Sequence, residues 1–295
     1  MKNVKAKTNE QIAMQVSANS IAVNLMLSIF KLIAGLMASS GAMISDAIHS
    51  ASDVFSTIIV IIGVKISGKA SDEDHPYGHD RFECVASIIL AILLGVTGVG
   101  IGLTGVQKLT AGHYDTLAVP GVLALAAAVI SIVVKEIMYW YTRNAAKKIN
   151  SGALMADAWH HRSDALSSVG SFVGIFGARM GFPMLDPLAS VVICLFIVKA
   201  AVDIFRDAIS KMTDKSCDQE TVNEMHDCIM NIRGVEGIDL LKTRSFGSKY
   251  YVDIEIKADG DKKLWEAHAI AENVHHVIEQ QFPLVKHCMV HVNPA

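Results

Sequence analysis

The chain has 295 residues, of which 52% are hydrophobic and only 19% are charged. A soluble globular chain usually carries about 25% charged residues, so this composition predicts a membrane protein with a soluble portion. The formal net charge of -3, without a basic cluster or a nucleic-acid-binding motif, gives no reason to expect DNA or RNA as a partner. The five cysteines include no C-x-x-C pair, so neither a disulfide framework nor a zinc knuckle is expected. The polar N-terminus does not resemble a signal peptide.

Six apolar segments are each long enough to cross a bilayer as a helix, which takes about 20 residues. Small residues recur within them, as in GVTGVGIGLTG, and this predicts close helix packing. Lysine and arginine concentrate on the N-terminal side of the membrane, so the positive-inside rule places both termini in the cytoplasm. We predict a transmembrane domain over 1–212, located in the cell inner (plasma) membrane. The segments lie at about 17–38, 42–67, 83–108, 118–141, 154–178 and 186–209.

Residues 213–295 are polar and mixed, and they predict a separate cytoplasmic domain. Alternation in YYVDIEIKA separates an apolar face of a strand from a face that carries Asp253 and Glu255. The element order α-β-β-α-β predicts a small α+β domain with its helices on one face of a sheet. Helices are predicted at about 218–231 and 262–282, and strands near 235–246, at 250–258 and over KHCMVHVNP.

Two octets of the same pattern, D-x-x-H-x-x-x-D, lie in the second and fifth apolar segments, at 46–53 and 157–164. On a helix, positions i, i+3 and i+7 share one face. An ionisable group within a membrane costs ~2.5 kcal/mol or more unless it faces a cavity, an ion or a partner. A single Asp or His there is often a buried hydrogen-bonding residue, but the repeated spacing favours a Zn²⁺ site with two nitrogen and two carboxylate ligands. The four predicted ligands are His49, Asp53, His160 and Asp164. If the two helices are antiparallel, His49 lies level with Asp164, and Asp53 lies level with His160.

The first Asp of each octet lies about 10 Å along the helix from the last, too far to share one ion. We predict that Asp46, on the external side, and Asp157, on the cytoplasmic side, relay the ion to and from the central site. His161 and Arg162 point off the ligand stripe. Arg162 is expected to reach a neighbouring carboxylate or a carbonyl.

The loop after the second segment reads SDEDHPYGHDRFE. Asp72, His75 and His79 are spaced like metal ligands, and the intervening Pro and Gly predict a turn that brings the imidazoles together. A solvated loop that merely contains these residues is an equally good interpretation. Near the same surface, Arg81 and Asp203 are a candidate ion pair that interlocks two helix ends.

In the cytoplasmic domain, three candidate ligands lie on different elements: Asp253 on a strand, His268 on the second helix and His291 on the last strand. Asp239 is a further candidate. Their convergence on one metal ion is a hypothesis from spacing alone.

The motifs resemble those of the cation diffusion facilitator transporters, a family of divalent metal/proton antiporters, and specifically a bacterial zinc-type member. The resemblance rests on H-x-x-x-D in the second and fifth segments, the HPYGH loop, and WEAHAIAENV and VHVNP near the C-terminus, and it covers about 10–294. It implies a homodimeric antiporter that exports a divalent metal from the cytoplasm in exchange for protons. It also implies a ferredoxin-like cytoplasmic domain that binds metal and tightens the dimer. The implied sites are His49, Asp53, His160 and Asp164 for transport; Asp72, His75 and His79 in the loop; and Asp239, Asp253, His268 and His291 in the tail.

The chain departs from the family pattern at Asn293, where some members carry Asp, and at 239 and 255, which are acidic where some carry His. The number of tail ions therefore stays open. The His–Asp quartet favours Zn²⁺ as cargo and regulator, with Cd²⁺ as a second cargo and Fe²⁺, Mn²⁺ or Co²⁺ as alternatives. A membrane metalloenzyme and a metal sensor that transports nothing are alternatives of other classes. No H-E-x-x-H motif is present, and no enzymatic activity is expected.

Overall fold

The structure is a computed structural model that describes residues 8–37, 41–111, 122–179 and 184–295. The chain divides into two compact units, Met1–Ala208 and Ile209–Ala295.

Six long helices account for most of the chain up to Met212, one for each predicted apolar segment. Helix α1 begins before its predicted apolar segment and α4 ends after its own, because each helix continues into polar sequence beyond the apolar run. Judged by length and composition alone, two helical stretches of the described residues could cross a membrane: Asn9–Ala34 and Phe82–Thr110. The helices are α1 (Asn9–Met37), α2 (Gly41–Ser67), α3 (Phe82–Ala111), α4 (Val122–Ile149), α5 (Gly152–Arg179) and α6 (Leu185–Met212).

Four of these helices form the bundle that positions the buried charges. Helix α1 packs on α2 and α4, while α5 packs on α4 and α2. Helix α3 lies against α2 and α5, and its Leu90 and Leu94 are buried in a common core with Val60 of α2 and Leu154 of α5. Polar side chains on α2, α4 and α5 that face the bundle interior therefore lie close together.

Helices α3 and α6 approach each other along a stripe of glycines on α3. A Cβ atom added at Gly98 would lie 2.7 Å from Ile197, and one added at Gly102 would overlap the side chain of Cys194. Because the residue number rises on α3 as it falls on α6, the two helices are antiparallel. The predicted close packing is thus present at this pair of helices.

The second unit contains a three-stranded sheet with β2 in the centre. Strand β2 pairs antiparallel with β1 and parallel with β3, and α8 makes the crossover between the two parallel strands. Helix α7 begins at the N-cap Asp218, whose carboxylate accepts a hydrogen bond from Thr221 N. The elements are α7 (Gln219–Met230), β1 (Gly237–Phe246), β2 (Lys249–Ala258), α8 (Leu264–Gln281) and β3 (Val285–Pro294).

Helices α7 and α8 cover one face of this sheet. Val252, Ile254 and Ile256 of β2 are buried against Ile229 of α7 and Ile278 of α8. The alternation predicted for this strand is confirmed, and its polar side chains lie on the face opposite the helices. The order and layering agree with the predicted α+β domain.

Candidate metal sites

A cluster of three ligand-type side chains lies within the helical bundle. Asp53 of α2 and His160 and Asp164 of α5 each offer one ligand atom, and these atoms all lie within 4.8 Å of one another. His160 Nε2 is 3.4 Å from Asp53 Oδ1, as the antiparallel arrangement predicts. All three residues are buried or partly buried, so nitrogen and carboxylate donors are brought together away from bulk water.

Two of the predicted residues have side chains that lie outside the described part of the structure, Asp46 and His49. Position 49 lies on α2, one turn before Asp53. On a helix, positions i and i+4 are neighbours, so the backbone of α2 is consistent with the predicted fourth ligand.

Lys135 of α4 joins this cluster, a contact that was not predicted from the sequence. Its Nζ donates to Asp53 Oδ2 at 2.5 Å and to Asp164 Oδ2 at 2.9 Å, and the residue is only 2% exposed. The lysine therefore neutralises part of the charge of two buried carboxylates. The available signal was a single cation within the apolar run ISIVVKEIMYW, since an ionisable residue in a spanning segment is ordinarily functional.

The predicted relay residue Asp157 is fully buried between α2 and α5. Thr57 Oγ1 donates a hydrogen bond to Asp157 Oδ1 at 3.2 Å. The equally buried His161 lies one turn further along α5, with Nε2 3.6 Å from Asp157 Oδ2. Neither ring nitrogen of His161 has a hydrogen-bond partner among the described residues, nor does Asp157 Oδ2. Buried polar atoms ordinarily have a hydrogen-bond partner. Asp157 and His161 therefore form a second buried polar cluster in the bundle, separate from Asp53, His160 and Asp164.

Arg162 points away from the cluster, as predicted. Its guanidinium carbon lies 4.3 Å from the ring centre of Tyr139 and 5.7 Å from that of Trp159. Its Nη2 is 3.7 Å from a carboxylate oxygen of Glu136. The residue packs against aromatic rings of α4 and α5 and has no contact with the carboxylates of Asp53 and Asp164.

The loop between α2 and α3 brings its three candidate ligands together. Asp72 Oδ1 is 3.3 Å from His75 Nδ1, and Asp72 Oδ2 is 3.3 Å from His79 Nε2. The ring nitrogen His79 Nδ1 lies 3.1 Å from the carbonyl oxygen of Ala70, which can fix the tautomer and leave Nε2 free to bind a metal. Gly78 has φ +93°, a conformation that favours glycine and closes the turn.

The pKa of the Asp72 carboxyl lies below its ordinary value. A hydrogen bond from the backbone N–H of His75 is the largest cause that lowers its pKa, and the two neighbouring imidazoles add to the effect. An ionised carboxylate beside two imidazoles is a suitable ligand set for a divalent cation.

The predicted interlock between Arg81 and Asp203 is not formed within the described residues of one protomer. Asp203 is exposed on α6. The antiparallel contacts of α3 and α6 place Asp203 level with a position near 92–93, because Gly95 faces Ala201 and Gly98 faces Ile197. At 1.5 Å per residue, Arg81, immediately before the start of α3, lies roughly 17 Å from that level along the helix axis, beyond the reach of an ion pair.

The structure does not bring Asp253, His268 and His291 together within one protomer, since none of the metal-ligand clusters among the described residues contains them. His268 lies on α8, which covers the apolar face of the sheet, whereas Asp253 and His291 lie on the opposite face. His268 is exposed instead, 3.8 Å from Glu272. The same domain brings together His275, Glu279 and His287, a cluster that was not predicted from the sequence.

Asp239, the further tail candidate, is held by a lysine. Lys257 Nζ lies 2.8 Å from Asp239 Oδ1, and this hydrogen bond is the largest cause that lowers the pKa of the Asp239 carboxyl. Asn293 Nδ2 donates to both Asp239 Oδ2, at 3.1 Å, and Glu255 Oε2, at 3.3 Å. The position where some family members carry Asp thus serves as a hydrogen-bond donor to two carboxylates.

Residues 17–213 match the family model of the cation efflux transmembrane domain, and residues 217–295 match that of the cation efflux protein cytoplasmic domain. The chain belongs to the cation efflux family. This confirms the predicted cation diffusion facilitator family, the helical transmembrane domain and the α+β cytoplasmic domain. As a member of this family, the protein is a transporter for the efflux of divalent metal cations.

Relatives of this cation efflux protein match nearly its whole length. The manganese efflux system protein MneP of Bacillus subtilis is 33% identical, over 98% of this chain and 98% of that protein. Metal tolerance protein C1 of Arabidopsis thaliana is also 33% identical over 91% of this chain, which spans 60% of that longer protein. A solved structure, MamM-CTD 215-293, is 23% identical and covers 26% of this chain and 100% of its own, with a TM-score of 0.26.

Proposed function

We propose that the protein exports Zn²⁺ from the cytoplasm in exchange for protons, as a homodimer in the plasma membrane with both termini cytoplasmic. The supporting observation is the buried cluster of Asp53, His160 and Asp164, which two different helices assemble within one bundle. Nitrogen and carboxylate donors suit Zn²⁺, whereas Mg²⁺ and Ca²⁺ prefer oxygen ligands alone. His49, one turn before Asp53 on α2, is the proposed fourth ligand.

Competition between cations supports the exchange of metal for protons. Metal binding needs ionised carboxylates and a neutral imidazole, so protons and metal compete for the same atoms of Asp53, His160 and Asp164. The ammonium of Lys135 donates to the same two carboxylates and is a further competitor for them. Open to the cytoplasm, the site binds metal and releases protons; open to the outside, protons displace the metal.

Asp157 is the proposed relay on the cytoplasmic side of this site. It lies before His160 on α5, a helix that begins at the proposed cytoplasmic face, and it is tied to α2 through Thr57. The substitution Asp157→Asn keeps the hydrogen bond to Thr57 but removes the negative charge, so metal uptake into everted vesicles should slow. Uptake at the wild-type rate would contradict the relay role.

Manganese export is a second candidate, favoured by the relative MneP, which is named a manganese efflux protein. The donor set argues for zinc, because imidazole ligands suit Zn²⁺ while oxygen ligands suit Mn²⁺. A flux assay with Zn²⁺, Mn²⁺, Fe²⁺, Co²⁺ and Cd²⁺ in turn ranks these cargoes. Zn²⁺ should be transported fastest, with Cd²⁺ next.

The deciding experiment is Zn²⁺ flux into proteoliposomes under an imposed pH gradient. The wild-type protein should transport Zn²⁺, and Asp53→Ala or Asp164→Ala should abolish the flux because each removes a ligand. The matched control is Lys199→Met, which removes an exposed charge on a spanning helix and should leave flux unchanged. Absence of flux in the wild type would favour a metalloenzyme or a sensor instead, and undiminished flux in both ligand variants would refute the proposed site.

A further inference from the structure

The cytoplasmic domain contains a second kind of cluster, formed by His275 and Glu279 of α8 and His287 of β3. His275 Nε2 lies 3.2 Å from Glu279 Oε1, and His287 Nδ1 lies 3.4 Å from the same oxygen. One ligand atom from each residue falls within 4.8 Å of the others. Two imidazoles from different elements therefore converge on one carboxylate.

The backbone of Cys288 holds two of these side chains in place. Its carbonyl oxygen lies 2.7 Å from His275 Nδ1, and its N–H donates to Glu279 Oε1 at 3.2 Å. With the proton of His275 on Nδ1, the lone pair of Nε2 points into the cluster. Metal-bound histidines are oriented in the same way, by a hydrogen bond from the second ring nitrogen to a carbonyl or carboxylate.

A set of surface ion pairs is the simpler interpretation of such a cluster. Exposed ion pairs, however, contribute only about 0 to 1 kcal/mol to the free energy of unfolding. Each pair consists of one cation and one anion. Here both His275 and His287 approach a single oxygen of Glu279, and two protonated imidazoles in that position would repel each other. A divalent cation binds a lone pair of each imidazole and one carboxylate oxygen, so all three side chains become ligands of one ion.

We infer that His275, Glu279 and His287 form a binding site for a divalent transition metal of the Zn²⁺ class. Two nitrogens and one carboxylate are a known three-ligand zinc set with a fourth position open to water. The side chains are 28%, 32% and 46% exposed for His275, Glu279 and His287, so an ion enters from the cytoplasm without unfolding the domain. A bound ion fastens the C-terminal half of α8 to β3, an edge strand of the sheet.

The test is Zn²⁺ stoichiometry of the full chain in detergent, measured by equilibrium dialysis. His287→Gln should bind one Zn²⁺ fewer per chain than the wild type. The matched control is His276→Gln, since His276 is exposed and its Nδ1 lies against the carbonyl of Glu272, so its stoichiometry should be that of the wild type. Asp53→Ala should lose the ion of the transmembrane site and keep the cytoplasmic one. Equal stoichiometry in wild type and His287→Gln would overturn the inference.

A measurement on the unmodified chain guards against a variant that fails to fold. With Zn²⁺ at about 100 times its Kd, occupancy is roughly 99%, so carbethoxylation of His275 and His287 should slow by up to about 100-fold. The exposed His226 of α7 should be modified at the same rate with and without Zn²⁺. Mass spectrometry of the modified peptides gives each rate. Modification of His275 and His287 that is insensitive to Zn²⁺ would overturn the site.

Discussion

Replacing Lys135 with methionine is the sharpest perturbation of the transmembrane site. The substitution retains most of the apolar stem and removes the ammonium that contacts Asp53 and Asp164. Two buried carboxylates then lie close together without their shared lysine. The protein without metal should be less stable, and a divalent cation should bind more tightly because it no longer displaces an ammonium.

The magnitude follows from the burial of this contact. Removing one partner of a buried ion pair costs about 3–5 kcal/mol, and Lys135 is only 2% exposed. Metal binding restores the missing positive charge, so the same free energy favours the metal complex of Lys135→Met. At about 1.4 kcal/mol for each tenfold change, the lower limit predicts a Zn²⁺ Kd roughly 100-fold below that of the wild type.

Chelator competition on the purified full chain measures this Kd, and thermal unfolding with and without Zn²⁺ measures the stability. Lys135→Met should unfold at a lower temperature without metal and gain more from added Zn²⁺ than the wild type. The double variant Lys135→Met with Asp164→Asn should lose the tight binding, which assigns it to this site. Because release is slower from a tighter site, Zn²⁺ flux through Lys135→Met should fall.

Lys199→Met is the matched control, since Lys199 is exposed on α6 and should alter neither Kd nor unfolding temperature. A Zn²⁺ Kd in Lys135→Met that equals or exceeds the wild-type value would refute the competition between ammonium and metal.

Two further outcomes test the packing of each unit. Gly98→Ala should destabilise the protein by about 1–3 kcal/mol, because the added Cβ would lie 2.7 Å from Ile197. Gly100→Ala adds a Cβ with nothing within 4 Å, so this variant should be as stable as the wild type or more stable. Thermal unfolding of both variants in detergent separates the effect of packing from that of helix propensity. Burial is the largest cause that raises the pKa of the Cys288 thiol to about 12, and the nearby carboxylates add to it. Between about pH 9 and 12 the folded domain therefore retains a proton that the unfolded chain loses. The free energy of unfolding should fall as pH rises through this window. At pH 8.5 Cys288 should alkylate far more slowly than the more exposed Cys228, and equal rates by mass spectrometry would contradict its burial.

The helical architecture could be predicted because a long apolar segment in a bilayer must satisfy its backbone hydrogen bonds internally. A helix of about 20 residues does so while crossing the bilayer. The alternation around Ile254 likewise determined which face of β2 is buried, since side chains of a strand alternate between faces. The level pairing of Asp53 with His160 followed from spacing and antiparallel direction. Each of these predictions depends on a local period or on chain direction, which the sequence contains.

The residues that escaped prediction are those whose partners lie on another element. Lys135 is one of several charged residues on α4, and it lacks the repeated spacing that marked the octets on α2 and α5. His275 and Glu279 have helical spacing, but His287 joins them only because β3 returns beside α8 after the turn that follows Phe282. The predicted pair of Arg81 and Asp203 requires both residues to lie at the same depth near the cytoplasmic surface, whereas the α3–α6 register separates them along the helix axis.

The glycine stripe on α3 also constrains how the sequence of this protein can vary. At Gly98 and Gly102 no side chain of α3 lies between its backbone and α6, and the side chains of Ile197 and Cys194 fill that space. An enlargement on one helix is compatible with the fold only if the facing residue on the other becomes smaller. Positions about one hundred residues apart in the chain should therefore vary as complementary pairs, and each pair records the register of the two helices.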